Sequence, residues 1–103
     1  MTGHTIETVT FRLAEGVTRE RFVEAARAVD DYLRTRPGFV ARRLSATEDG
    51  LWIEHIEWTT LEHAKAAAAG LGAEPDLAPF LSAIDGPSAT MHHAALEIAL
   101  DRE

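Results

Sequence analysis

Apolar and polar positions along the chain switch between two periods, which predicts strands and helices in turn. Residues 6–13 alternate, with Val9, Phe11 and Leu13 on one side of a predicted strand. Thr18 then has the properties of an N-cap, and Pro37-Gly38 ends the helix that follows near Arg36. Along this helix one apolar stripe recurs at helical spacing: Phe22, Ala25, Ala26, Val29, Tyr32 and Leu33. The pattern predicts an amphipathic helix that lies on an apolar surface.

Two further strands are predicted in the middle of the chain, over residues 39–47 and 51–58. Glu48-Asp49-Gly50 separates them, and Asp-Gly between two such runs is a strong hairpin signal. One face of the third strand carries Trp52, Glu54, Ile56 and Trp58, and the other carries Leu51, Ile53, His55 and Glu57. Because both faces bear large apolar groups, we expect both sides of the sheet to be at least partly covered.

A second helix and a last strand complete the pattern. Thr59 is the predicted N-cap of an alanine-rich helix that ends at Gly70, with Glu62 completing a capping box. Asp76 is expected to cap a short helix carrying Leu77, Phe80, Leu81 and Ile84. After a turn at Asp85-Gly86-Pro87, a strand is predicted over residues 89–100, and residues 101–103 are expected to fray.

The order strand, helix, strand, strand, helix, strand predicts one fold class. It is an α+β, ferredoxin-like βαββαβ domain with an antiparallel four-stranded sheet, and residues 1–103 form that single domain. Helices cover only one face of such a sheet. The second face needs another cover, and a second copy of the chain is the simplest one, so a homodimer through the sheet face is expected.

Composition narrows the partners and the chemistry. The net charge of −7 argues against nucleic acid or an anionic membrane as the main partner. The absence of cysteine excludes disulfides and thiolate nucleophiles, and no histidine spacing predicts a metal site. No basic segment followed by an apolar one begins the chain, and no apolar run is long enough to span a bilayer. A cytoplasmic location is therefore expected.

The junction between the third strand and the second helix suggests a family. Residues 54–64, EHIEWTTLEHA, resemble the E-x-x-x-W-x-S-L-E-x-A junction of the antibiotic biosynthesis monooxygenase-like family, in the dimeric α/β-barrel superfamily. Residues 36–40, RPGFV, resemble its x-P-G-F/Y-V link, and the likeness extends over about residues 5–97. The resemblance implies that two sheets pack into a barrel and that each subunit has a pocket between sheet and helices. Some members oxidise aromatic quinols or anthrones without metal or flavin, and some degrade haem.

His55 is the first candidate for catalysis, because it stands mid-strand where an aliphatic residue is expected. As a general base it would remove a phenolic proton and give an electron-rich anion that reacts with O2 without a cofactor. The alternative is a core or interface histidine bonded to Glu57. Glu54 is the second candidate, as an acid or orienting acceptor, because a buried carboxylate is either paired or lines a cavity.

A second group of residues is predicted to bind a small aromatic ligand. Trp52 and Trp58 would form the walls of the site. The other predicted substrate-binding residues are Tyr32, His63, Phe80 and His93. His92 and His93 are adjacent on a strand, so their side chains are expected on opposite faces of the sheet.

Three hypotheses for function remain open. The first is a cofactor-independent monooxygenase that acts on a small aromatic or polyketide-like quinol. The second is a dimeric small-molecule-binding or stress-related protein without turnover. It rests on the lack of any asparagine, since the resemblance implies one early in the first strand. The third is a purely structural use of the aromatic residues, which predicts no cavity large enough for a ligand.

Overall fold

The computed structural model describes residues 3–102; Met1, Thr2 and Glu103, the last of which belongs to the predicted frayed end, lie outside that range. Four strands are present: β1 (Thr5–Leu13), β2 (Phe39–Ala46), β3 (Trp52–Trp58) and β4 (Ile84–Ala95). The helices are α1 (Arg19–Arg34), α2 (Leu61–Leu71) and α3 (Ala78–Ser82), with a 3₁₀ turn (Pro75–Leu77) before α3.

The strands form one antiparallel four-stranded sheet in the order β2-β3-β1-β4. This confirms the predicted α+β, ferredoxin-like class. The helices cover one face, and Phe22 of α1 lies at the centre of the core between them and the sheet. Its ring contacts Phe11, Trp52 and Phe80 at centroid distances of 5.6, 4.8 and 5.3 Å. Aromatic contacts at these distances anchor α1 and α3 to β1 and β3.

The start of α1 matches the prediction, and its end shows how the chain turns into β2. The Thr18 Oγ1 atom accepts a hydrogen bond from the Arg21 N–H at 3.2 Å. After the helix, Gly38 adopts a φ of +82°, a conformation that favours glycine. A Cβ atom at Gly38 would also overlap the His63 ring. Glycine is therefore required here for two independent reasons.

The predicted cap of α2 is wrong by one residue. Thr60, not Thr59, is the N-cap, and its Oγ1 accepts a hydrogen bond from the His63 N–H at 3.1 Å. The Thr59 N–H is taken by the Gly38 carbonyl at 2.8 Å, which holds Thr59 outside the helix. The third helical position is consequently occupied by His63, so Glu62 cannot complete a capping box.

The end of α2 also differs from the prediction, because the helix continues through Gly70 to Leu71. The reason is a close approach by Tyr32. Its hydroxyl donates a hydrogen bond to the Ala67 carbonyl at 2.6 Å, and a Cβ atom at Gly70 would lie only 2.9 Å from the hydroxyl oxygen. Gly70 thus accommodates a neighbouring side chain and does not end the helix.

The last strand starts and ends earlier than predicted. The expected turn at residues 85–87 lies inside β4, which begins at Ile84, the residue expected to end the short helix. A register shift on β1 between Thr10 and Arg12 accommodates the extra residues, and Ser88 bridges it. The Ser88 Oγ accepts from the Arg12 N–H at 2.8 Å and donates to the Asp85 carbonyl at 2.6 Å. No side-chain cap from Asp76 is formed.

The end of the described chain lies outside the sheet and has no regular secondary structure. β4 ends at Ala95, and only Leu96 continues the pairing, through a bond from its N–H to the His4 carbonyl at 2.9 Å. The predicted continuation to Leu100 is therefore wrong, since β1 begins at Thr5, the residue that pairs with Ala95. Ile98 and Leu100 are 87% and 94% exposed. Among residues 3–102, no helix combines the length and the hydrophobicity needed to cross a bilayer.

Candidate functional site

A cavity of about 340 Å³ lies between the sheet and the three helices. Its walls come from β1, β3 and β4 on one side and from α1, α2 and α3 on the other. Met91 of β4 lines it and is 48% exposed, so the cavity opens at this edge strand. Its volume is within the range of small-molecule sites, and its lining is predominantly apolar. This cavity is the candidate binding site of the protein.

Glu7 of β1 brings a carboxyl group into this apolar cavity. The residue is only 6% exposed, and its Oε1 accepts a hydrogen bond from the Trp58 indole N–H at 3.1 Å. The Nε2 atom of His93 lies 3.8 Å from the same oxygen. Burial raises the pKa of Glu7, and the charge of Glu54 raises it further, while His93 and Trp58 oppose the change. Glu7 therefore retains its proton more strongly than an exposed glutamate.

Glu54 of β3 lines the same cavity but has a different environment. Both of its carboxylate oxygens accept hydrogen bonds from the Arg42 guanidinium, at 2.7 and 2.8 Å. Arg42 also donates to the Asp30 carboxylate and the Ala26 carbonyl, each at 2.9 Å. Burial alone would lower the pKa of Arg42, but the bonds and charges of Glu54 and Asp30 outweigh it and raise that pKa. Both Glu54 oxygens are therefore held by the Arg42 guanidinium.

The cavity thus contains two carboxyl groups whose environments differ. Their strands pair so that Glu7 faces Ile56 and Glu54 faces Val9, which makes the two glutamates diagonal neighbours on one sheet face. Such neighbours are about 7–8 Å apart. One carboxylate is bound to a guanidinium. Among residues 3–102, the other accepts a hydrogen bond only from an indole N–H, and it lies near an imidazole. Two carboxyl groups with opposed environments are a common basis for acid–base chemistry.

Four of the residues predicted from the sequence line the cavity: Glu54, Trp58, Tyr32 and Phe80. Trp58 is almost fully buried and contributes its indole edge next to Glu7. The Tyr32 hydroxyl already donates a hydrogen bond to the Ala67 carbonyl of α2, so Tyr32 contributes mainly its ring to the cavity wall. Phe80 stacks on Phe22 at 5.3 Å and forms a wall from α3.

Trp52 does not take the wall position that the sequence predicted. It shares a sheet face with Trp58, but it packs edge-on against Phe22 at 4.8 Å. On its outer side the Arg19 guanidinium lies 5.7 Å from the ring centroid. The two tryptophans stand at opposite ends of β3, and only Trp58 reaches the cavity.

His63 also lies away from the cavity. Its Nδ1 is 3.2 Å from the Thr59 Oγ1, and its ring packs against Gly38. The side chain therefore fixes the start of α2 against the link into β2. The expected contact between His63 and a substrate is not supported by this position.

His55 stands on the other face of the sheet and is exposed, so the sheet separates it from the cavity. It pairs with Thr8 of β1 and Arg43 of β2, and not with any cavity-lining residue. The alternative partner predicted for it, Glu57, is instead bonded to His4 at an Nδ1–Oε2 distance of 2.6 Å. The expectation that His55 acts as a base in the pocket is incompatible with this geometry.

The two adjacent histidines of β4 have opposite orientations, as predicted. His93 pairs with Glu7 and His92 pairs with Thr8, so only His93 is on the cavity side. His93 does not line the cavity itself. Its buried Nε2 lies 3.8 Å from the Glu7 Oε1 and has no hydrogen-bond partner within the described part of the chain.

Comparisons with known proteins identify the fold. No family model and no curated protein matches the sequence. Solved structures do match. A monooxygenase from the gene ActVA-Orf6 of Streptomyces coelicolor, in complex with nanaomycin D, has a TM-score of 0.73 at 20% identity over 98% of this chain and 94% of that one.

Two more structures agree. SnoaB, a cofactor-independent oxygenase from Streptomyces nogalater, has a TM-score of 0.65 at 17% identity over 96% of each chain. A putative antibiotic biosynthesis monooxygenase from Chloroflexus aurantiacus has a TM-score of 0.69 at 12% identity over 96% of this chain and 98% of that one. The chain has the fold of the antibiotic biosynthesis monooxygenases. At these identities the likeness establishes the fold, and a function has to be argued from the site.

Within this monooxygenase fold, sequence reasoning missed Glu7. A signal for it existed, because Glu7 has the same parity along β1 as Val9, Phe11 and Leu13. A carboxylate on the apolar side of a strand must either be paired or line a cavity, and the same argument identified Glu54. Within residues 3–102, no group of three or more histidine or acidic side chains is placed to hold a metal ion.

Proposed function

We propose that the chain is a cofactor-independent monooxygenase-type enzyme that acts on a small aromatic substrate in this cavity, with Glu7 as the base. One observation carries the proposal: a buried carboxyl group faces an apolar cavity of about 340 Å³. Neither arginine nor lysine pairs with Glu7 in the described residues. Such a carboxyl group, with a pKa raised by burial, is suited to accept a proton from a substrate near neutral pH.

The proposed reaction begins with proton transfer. The Glu7 carboxylate takes a phenolic proton from the bound substrate, and the resulting anion donates electron density to O2. A carbon–oxygen bond forms, the peroxide anion takes up a proton from solvent, and the hydroperoxide then loses water to leave a quinone. One oxygen atom enters the product and the other leaves as water, so the substrate itself supplies the electrons and no cofactor is required.

The surrounding residues have supporting roles in this proposal. The Trp58 indole N–H holds one oxygen of Glu7, and the rings of Trp58 and Phe80 flank the space for a planar ligand. His93 lies behind Glu7, and its side chain is 19% exposed. We assign His93 the return of the proton from Glu7 to solvent. Glu54, held by Arg42, is assigned the role of an acceptor that orients the substrate.

A binding protein without turnover is the second candidate. The lack of asparagine favours this candidate. The family resemblance implies an asparagine on the first strand, and in this chain that strand carries Glu7. The third hypothesis, a purely structural domain, predicted that no cavity large enough for a ligand exists. The cavity between sheet and helices contradicts that prediction.

Oxygen consumption with anthrones and naphthoquinols tests the enzyme proposal. We expect the protein to accelerate O2 uptake and quinone formation, and Met91→Trp to abolish most of this activity, because a large ring at the mouth blocks the cavity. Lys65→Trp, on the exposed side of α2, is the matched control and should retain activity. Binding of these aromatics without O2 uptake would favour the second candidate, and full activity of Met91→Trp would place the reaction elsewhere.

We also propose that two copies associate through the open sheet face. That face, opposite the cavity, carries Ile6 and Ile53 among polar residues that include Thr8 and His55. Ile98 and Leu100, after β4, are exposed apolar residues. Burial of this apolar surface in a symmetric dimer would stabilise a small domain. Native mass spectrometry at micromolar concentration should give the mass of two chains, and Thr8→Arg, at the centre of the face, should shift it to one. A single-chain mass for the unmodified protein contradicts the proposal.

A further inference from the structure

We infer that the cavity discriminates by charge: it admits uncharged aromatic ligands that carry a hydrogen-bond donor, and it rejects aromatic carboxylates and other anions, with Glu7 as the residue that determines this specificity. The inference rests on the part of the proposed function that makes the cavity a binding site. It does not depend on oxygenation.

The polar groups that line the cavity are the first support. They belong to Glu7, Glu54, Trp58 and Tyr32. Both donors among them are already used, because the Trp58 indole N–H donates to Glu7 and the Tyr32 hydroxyl donates to the Ala67 carbonyl. Both oxygens of Glu54 accept from Arg42 and cannot donate. The cavity therefore offers mainly acceptors, which a ligand hydroxyl or amine can satisfy. A ligand carboxylate has only acceptor atoms, so it could not form hydrogen bonds with the acceptors of the cavity.

The charge of the lining is the second support. No lysine, arginine or histidine is among the residues that line the cavity. Arg42 lies behind Glu54 with its hydrogen bonds used by Glu54, Asp30 and Ala26, so its charge is already balanced. An anion entering this space would lose its hydration without gaining a cation, and it would approach the Glu7 carboxylate. Electrostatic repulsion is strong where the surroundings are apolar.

The groups that face Glu7 show how protonation changes this repulsion. They are Trp58 and Glu54 of β3 and His93 of β4. Tyr32 of α1 also lines the cavity, while α2 and α3 contribute only apolar residues to the lining. Once Glu7 is protonated it loses its charge and becomes a donor. A carboxylate ligand can then bind if a proton enters with it. Rejection of anions should therefore weaken as the pH falls.

Calorimetry with a matched pair of probes, 2-naphthol and 2-naphthoate, tests the inference. The two molecules share one ring system and differ in charge at pH 7.5. We expect 2-naphthol to bind at least about tenfold more tightly, a difference of ~1.4 kcal/mol. Lowering the pH from 8 to 5.5 should narrow this ratio. Glu7→Gln should reduce the ratio of the two affinities at all pH values and remove the pH dependence of that ratio, because the amide has no charge.

Glu57→Gln is the matched control, because Glu57 is a partly buried carboxylate on the opposite sheet face, bonded to His4. It removes the same charge from the protein but should leave the ratio unchanged. Equal or tighter binding of 2-naphthoate, an unchanged ratio in Glu7→Gln, or no binding of either probe at millimolar concentration would overturn the inference. Measurements under nitrogen detect binding without oxidation, so their outcome is distinct from that of the enzyme proposal, which is tested by O2 uptake and turnover.

Discussion

Replacement of Arg42 by alanine is expected to lower the free energy of unfolding by about 3–5 kcal/mol, a large fraction of the stability of a domain of this size. The Arg42 side chain is 8% exposed and that of Glu54 is 7% exposed. Their two hydrogen bonds measure 2.7 and 2.8 Å. Removing the guanidinium leaves the Glu54 charge buried without a partner, and it also frees the Ala26 carbonyl at the centre of α1.

Urea denaturation measures this effect, and the neighbouring residue supplies the control. Arg43 is exposed on the open sheet face, and its guanidinium bonds only to the Arg42 carbonyl, at 3.3 Å. Arg43→Ala should change stability by no more than about 0.5 kcal/mol. In an Arg42→Met/Glu54→Gln double variant much of the loss should be recovered, because no buried charge is left unpaired and the Asp30 side chain is 38% exposed to solvent. Equal effects of Arg42→Ala and Arg43→Ala would show that the pairing does not stabilise the fold.

Glu7→Gln is expected to reduce turnover of an aromatic substrate by a factor of roughly 10²–10⁴, the usual contribution of a positioned general base. The amide is nearly isosteric and can still accept the Trp58 bond, so the cavity keeps its shape. The loss should therefore appear in kcat more than in KM for a neutral substrate. Steady-state kinetics measure it, and turnover of Glu7→Gln equal to that of the unmodified protein would exclude Glu7 as the base.

The same substitution has a predictable effect on stability, with a definite sign. Burial raises the pKa of Glu7 above its usual value of 4.5, so the folded state holds the proton more tightly than the unfolded state. The stability that this group contributes is fully present below about pH 4.5 and is lost as the pH rises through the folded pKa. Glu7→Gln should therefore match the parent at pH 4 and melt at a higher temperature at pH 8.

Thermal melts across this pH range test the sign, with Glu57→Gln as the contrasting variant. A gain of about 1 kcal/mol corresponds to roughly 4–8 °C for a domain of this size. Glu57 bonds to His4 at 2.6 Å, so its replacement should lower stability slightly or leave it unchanged. A Glu7→Gln protein that is less stable than the parent at pH 8 would mean that the ionised carboxylate is favourable in the fold.

The sequence by itself determined the elements, their order and the fold class. Alternation in β1 and β3, the stripe along α1 and the Pro37-Gly38 stop are local features, and each is fixed by neighbours within a few residues. Periodicity also showed correctly that Trp52, Glu54, Ile56 and Trp58 share a face and that His92 and His93 do not. The predicted ends of helices and strands were less accurate where a residue distant in the sequence makes a contact, as when the Gly38 carbonyl holds Thr59 outside α2.

Only the tertiary structure decided which residues form the site. A period of two shows which side chains share a face, but it does not show which face the helices cover. The helices cover the face opposite His55, so His55 lies outside the cavity. The environment of Glu7 depends on Trp58 and His93, which are more than fifty residues away along the chain. Whether a buried carboxylate is paired, as Glu54 is by Arg42, or keeps its proton, as Glu7 tends to, is set by the strands and helices that pack beside it.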